Sequence, residues 1–131
     1  NSTFYKKNRK GLKALSLSSN LTALTAWSND FQYDTFLARQ VKTHGSKNDV
    51  LLILTTSGYP NNESNSRNLY LALKEAKLIG IKVLSLVGKN GGKIKNDSDV
   101  SIHIKENKTS IIQECQLAII HYFCYNIDLN F

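Results

Sequence analysis

Methionine is absent from all 131 residues, position 1 included, and proline occurs once, at Pro60. An intracellular chain ordinarily starts on methionine, so the sequence reads as one that begins after processing or within a longer protein. Two cysteines, Cys115 and Cys124, are too few for a disulfide framework. Both lie in one apolar helical stretch, and the expectation is buried, inert thiols in a reducing compartment. No run approaches 18 apolar residues, and no basic–apolar–small leader opens the chain. A membrane span is excluded and a cytoplasmic home expected. Acidic residues are also scarce, 10 against 17 lysines and arginines, for a net charge of +7. That balance favours anionic partners. The basic residues are scattered apart from "YKKNRKGLK", and no aromatics are interleaved with them as a stacking platform needs. Small phosphorylated metabolites are one candidate and nucleic acid another, but most such surfaces are merely solubilising, and DNA binding is not read from the charge.

What is present fits one ordinary domain, with 41% hydrophobic and 21% charged residues. Five Asn-x-Ser/Thr sequons, at Asn1, Asn20, Asn62, Asn96 and Asn107, are expected by chance in so asparagine- and serine-rich a chain. Residues 1–11 are polar and basic and read as a loop or the tail of an earlier element. "LKALSLS" (12–18) alternates and predicts a strand. Asn20 is placed to cap a short helix, and "YDTFLARQVKTHG" predicts another that stops at Gly45. "DVLLILTT" (49–56) is continuously apolar, the pattern of a strand covered on both faces. "SRNLYLALKEAKLIG" predicts an amphipathic helix from Ser66 to Gly80. "IKVLSLVG" predicts a buried strand, "KNGGK" a turn, "DVSIHI" a short strand and "SIIQECQLAIIHYFCYNI" a long last helix. Strands alternating with helices mean a parallel sheet in a three-layer α/β/α sandwich, with ligands beyond the strands' C-terminal ends.

"TTSG" stands at such an end. A loop from a strand into a helix presents free backbone N–H groups and the positive end of a helix dipole, so anions collect there. Thr55, Thr56 and Ser57 add neutral donors, and Gly58 permits close backbone approach. Hydroxyls without a lysine suit a phosphate ester that must be released again. The alternative is that these residues merely cap the next helix.

"SNDFQYDTFLARQV", "DVLLILTTSG", "GIKVLSLVGKNGGKI" and "IIQECQLAIIHYF" together resemble the sugar isomerase (SIS) domain, and more narrowly the phosphoheptose isomerases. The resemblance runs from about Tyr5 to the C-terminus, with four motifs in order. It implies a single SIS domain over 1–131, of flavodoxin-like strand order 2-1-3-4-5. The family's first strand, its "GNGGS" phosphate loop and the helix bearing its catalytic glutamate and a metal-binding histidine fall upstream of this sequence. "LKALSLS" would then lack its inner neighbour in the sheet.

Carried over by position, the resemblance implies that Asn29 and Asp30 contact the sugar. It implies that Thr55, Thr56 and Ser57 bind phosphate with Gly58, and that Ser66 replaces a serine displaced by the insertion "YPNNES". Gln113 is implied as a substrate and zinc ligand, and His121 as the proton-transfer residue and zinc ligand. The family's intervening histidine is Gln116 here. Zinc is thus the implied metal, no organic cofactor is implied, and the expected assembly is a homotetramer with sites at subunit interfaces.

The implied reaction interconverts sedoheptulose 7-phosphate and D-glycero-D-manno-heptose 7-phosphate, a step toward lipopolysaccharide heptose. A proton moves between C1 and C2 through an enediol, which needs a base for the carbon and an acid for the oxygens. Gln113 and His121 are eight residues apart, roughly 80° beyond two helical turns, and share the margin of one face. Taken without the family, a histidine in "AIIHYF" is more often a core residue. His44, before the glycine stop, and His103, in a strand, read as structural. A non-catalytic SIS binding module, such as those that associate with the bacterial replication initiator DnaA, is the alternative. A remnant that folds only in complex is the third reading.

Overall fold

A computed structural model describes residues 10–61 and 65–131. In chain order it contains α1 (Leu21–Asp30), a 3-10 turn (Tyr33–Thr35), α2 (Phe36–His44), β1 (Val50–Thr55), α3 (Arg67–Ile79), β2 (Lys82–Val87), α4 (Gly92–Asp97), β3 (Val100–His103) and α5 (Thr109–Asn130). The three strands are parallel in the order β1-β2-β3, with Val50 opposite Lys82 and Leu84 opposite Val100. Asn20 caps α1 as expected, its side chain accepting the Ala23 N–H at 3.0 Å. Gly80 ends α3 at φ 87°, where its N–H reaches back to the last turn. The turn "KNGGK" proves to open the short helix α4.

Alternation along the strands puts Ile53, Thr55, Val83, Ser85 and Val87 on one face, and all are buried. Val41 of α2, Ala72, Leu73 and Ala76 of α3, and Ile94 of α4 close over that face as the principal core. The last helix, α5, lies on the other face. There Ile112 is fully buried against Gly88, and Gln116 reaches the ends of β1 and β2. Helices thus occupy both faces of the sheet, as the α/β pattern required.

Three expectations need correcting. Residues 12–18 form no strand: Leu12 and Leu15 are exposed, and only Leu17 packs on the core. Alternation encodes a pleat, but a strand also needs a hydrogen-bonding neighbour. The edge of β1 away from β2 carries no strand among the described residues. The second correction is to β1, which is covered on one face only: Val50, Leu52 and Leu54 are exposed. With strands about 4.8 Å apart, a single helix about 10 Å wide covers two of the three. The cysteines are the third: Cys115 and Cys124 are part-buried rather than enclosed, because α5 buries only Ile112 and Gln116 fully.

Candidate functional site

The C-terminal end of β1 and the N-terminus of α3 converge on three hydroxyls. Thr55 Oγ1 lies 2.7 Å from Ser66 Oγ, and Ser57 Oγ lies 2.9 Å from the same atom. The backbone N–H groups of Ser57 and Gly58 donate to Thr55 Oγ1 at 3.3 and 3.2 Å. Both acceptor positions of the Thr55 hydroxyl are then filled, so its proton goes to Ser66. Ser66 can pass its own proton to Ser57, which leaves the Ser57 O–H as a donor to the space outside. Thr55, only 6% exposed, shapes the loop from within, while Ser57 meets solvent. Ser66 sits at φ 63° and makes no side-chain cap, so the first N–H groups of α3 are uncapped by it.

Two glycines fix this loop in place. Gly58, at φ 68°, and Gly92, at φ 54°, meet backbone to backbone. A Cβ on Gly58 would fall 2.0 Å from the Gly91 oxygen, and one on Gly92 would fall 2.2 Å from the Gly58 oxygen. The contact lets the Gly58 and Tyr59 carbonyls accept the N–H groups of Ile94 and Lys93, at 3.0 and 3.1 Å. The loop after β1 therefore satisfies the first turn of α4. Tyr59 stacks on Tyr70, and Lys93 Nζ lies over the Tyr59 ring, 5.1 Å from its centroid. Tyr70 donates to Asp97 at 2.8 Å, and that bond, with burial, raises its phenol above the usual value.

A cleft of about 330 Å³ opens beside Ser57, lined by Pro60, Asn65, Lys89, Asn90 and Asn107. Lys89 and Asn90 come from the β2–α4 turn, which the sequence had offered only as a turn. Gln116 is the other residue missed. Its Nε2 donates to the carbonyls of Leu86 at 2.9 Å and Thr55 at 3.2 Å, tying α5 to the strand ends below the hydroxyl loop. The signal was a polar residue three positions after Gln113 in an otherwise apolar helical stretch.

Among the expected site residues, Thr55, Ser57, Gly58 and Ser66 are brought together. Thr56 is part-buried beside them. Asn29 and Asp30 are exposed at the end of α1. The turn that follows is fastened to α3 by the Asp34–Arg67 ion pair at 2.5 Å, one residue from Ser66. Gln113 and His121 are exposed on α5, about 60° and 140° round the helix from Gln116 on ideal geometry. Gln113 is therefore on the same half of the helix as the Gln116 anchor and His121 on the opposite half, separated by about 12 Å along the axis. Catalytic zinc takes three protein ligands as a rule. No group of three His, Cys, Asp or Glu that could hold a metal occurs among the described residues. Gln113 and His121 alone do not fit a zinc centre. No helix among the described residues is long and apolar enough to cross a membrane.

No protein-family model matches the chain. Curated relatives do. The chain is 46% identical to the phosphoheptose isomerase of Helicobacter pylori strain Shi470 over 97% of its own length and 63% of that protein's. It is 36% identical to the probable phosphoheptose isomerase of Thermoplasma acidophilum, over 97% of this chain and 66% of that one. Among solved structures, a phosphoheptose isomerase from Francisella tularensis superposes with a TM-score of 0.87 at 30% identity, over 96% of this chain and 64% of that one. One from Neisseria gonorrhoeae gives 0.79 at 36% identity, over 87% and 61%. The chain thus spans just under two thirds of the length of these relatives.

Proposed function

We propose that the chain, which resembles phosphoheptose isomerases along 97% of its length, supplies the phosphate-binding part of a sugar-phosphate aldose–ketose isomerase acting on sedoheptulose 7-phosphate. The observation that carries this reading is the hydroxyl trio of Thr55, Ser57 and Ser66 between a parallel strand and the helix that follows it. The Ser57 hydroxyl, at the positive end of the α3 dipole, meets a phosphate's oxygens, with Thr55 and Ser66 holding Ser57 in register. The loop's own donors are neutral, so its hydroxyls and backbone N–H groups hold the ester by hydrogen bonds. Asn29 and Asp30 are assigned to sugar hydroxyls and Gln113 to substrate. His121 is assigned to moving the proton between C1 and C2 while the enediol forms and collapses.

His121 is exposed on the flank of α5, so a substrate held at the hydroxyl loop is best served by a histidine from a neighbouring copy. Exposed Leu52, Leu54 and Leu117 support association, and a homotetramer in the cytoplasm, in the service of lipopolysaccharide heptose, belongs to the same proposal. The test is His121→Ala in the full protein. Turnover of the ketose phosphate is lost while phosphate binding persists. Unchanged turnover would remove His121 from the reaction. A second reading is a phosphosugar-binding module without catalysis, since the hydroxyl loop can hold phosphate whether or not a proton is moved. It predicts binding by both proteins and turnover by neither.

A further inference from the structure

We infer that Lys89, on the β2–α4 turn, is the cationic ligand for the phosphate held at Ser57, and that His103 is the residue that positions it. The inference rests on the reading above only for the presence of a phosphate ester. Lys89 itself is argued from its surroundings. It lines the same cleft as Ser57, together with the carboxamides of Asn65, Asn90 and Asn107. That composition is one cation, one hydroxyl and three amides, with no carboxylate. The ion pairs of the described residues engage Arg67, Lys77 and Lys82 and leave Lys89 out. The nearby Glu106 carboxylate is turned onto its own loop, accepting the N–H groups of Asn107 and Lys108 at 2.6 and 2.9 Å.

Lys89 is exposed, but its backbone is held in an uncommon conformation. Its φ is 47°, in the left-handed region that disfavours a side chain, although glycines follow at 91 and 92. The surrounding structure holds this conformation from both sides. The Lys89 N–H donates to the Glu106 carbonyl at 2.9 Å, and the Lys89 carbonyl accepts from His103 Nε2 at 2.6 Å. A carbonyl can only accept, so the imidazole carries its proton on Nε2. Its Nδ1 is then left enclosed with no partner among the described residues. A buried polar atom without a partner is unfavourable, so the fold tolerates one defect at His103 and a second at Lys89. Together they hold an ammonium at the cleft as a compact point charge, which suits a phosphate.

The experiment is calorimetric titration of inorganic phosphate into the full protein and its Lys89→Gly, Lys89→Arg, His103→Ala and His103→Gln variants. Hydrogen bonds to charged groups are strong enough that losing one weakens phosphate by about tenfold or more. Lys89→Gly is expected to show that loss and a flatter salt dependence, with its thermal midpoint unchanged or raised, because glycine adopts the same φ freely. Lys89→Arg retains binding. His103→Ala weakens phosphate and His103→Gln, which restores an N–H donor, recovers it. Wild-type affinity in Lys89→Gly overturns the inference, and so does a wild-type protein that binds no phosphate. Lys89-dependent phosphate binding without isomerisation would refute the enzyme reading and leave Lys89 standing. Isomerisation with an unaltered KM in Lys89→Gly would do the reverse.

Discussion

Gly58→Ala tests whether the hydroxyl loop is held in place by its backbone contact with the β2–α4 turn. The added methyl would stand 2.0 Å from the Gly91 oxygen and 2.4 Å from its carbonyl carbon. No side-chain rotation relieves this, because both sides are backbone. The two segments must part by more than an ångström. Parting breaks the bonds from Ile94 N–H to the Gly58 carbonyl and from Lys93 N–H to that of Tyr59. At about 1 kcal/mol net for each bond, and a further 1–2 kcal/mol or so for alanine at a positive φ, the loss comes to about 3–4 kcal/mol. That is a large share of the roughly 5–15 kcal/mol that holds a domain together. Urea unfolding of the full protein, followed by far-ultraviolet circular dichroism, reads it directly. Gly11→Ala is the control, since a Cβ there meets nothing within 4 Å. It is expected within about 0.5 kcal/mol of the parent. A Gly58→Ala protein within 1 kcal/mol or so of wild type, with phosphate still bound, would show that the glycine contact does not position the site.

Gln116→Leu keeps most of the buried volume and removes both donors. A loss of about 1–3 kcal/mol is expected, with hydrogen exchange accelerating in α5 before α3; equal exchange in the two helices would refute the anchor. Asp99 accepts the Val83 N–H, and with Lys82 and Lys77 this holds its carboxyl well below the usual carboxylate range. Its contribution is present above the ordinary value near 3.8 and is lost as pH falls toward the lowered folded value. Asp99→Asn should therefore be less stable than wild type at pH 6, with the gap closing in acid; a gap constant from pH 6 to 2 would refute the pairing. Arg67→Ala frees Asp34 and the turn after α1. Both groups are partly exposed, so the stability change is under about 1 kcal/mol. Sugar-phosphate KM should rise more than kcat falls, and unchanged kinetics would disconnect Asn29 and Asp30 from the site.

The sheet and its crossing helices were legible because their signals are local. A continuous apolar run, an asparagine before a helical period and a glycine after one each act within a few residues, and β1, α1 and α3 follow from them. The segment 12–18 carries an equally good local signal and forms no strand. Its alternation names a pleat, while the missing partner is a property of the sheet. The same distinction explains Leu52 and Leu54. Their apolar character fits a covered face, but whether a helix reaches that far depends on the breadth of three strands against one helix.

At the site the division falls elsewhere. Thr55, Ser57 and Gly58 were legible as a strand-end loop, and Ser66 joined them across an insertion because it precedes a strong helical period. Their roles were not. Only the saturated acceptors of Thr55 show that its hydroxyl works inward, leaving Ser57 to face the cleft. Lys89 and Gln116 were out of reach for a different reason. Each acts on residues 30 or more positions away, through contacts to backbone carbonyls or across a cleft, and a carbonyl has no identity in a sequence. The hydroxyl loop itself contains no lysine, yet Lys89 lines the same cleft. The fold brings in a cation from the next strand's turn, so the charge on a bound phosphate depends on two loops held together by a pair of glycines. Loss of the glycine contact should therefore weaken phosphate as much as loss of Lys89, and combining Gly58→Ala with Lys89→Gly should weaken it little further.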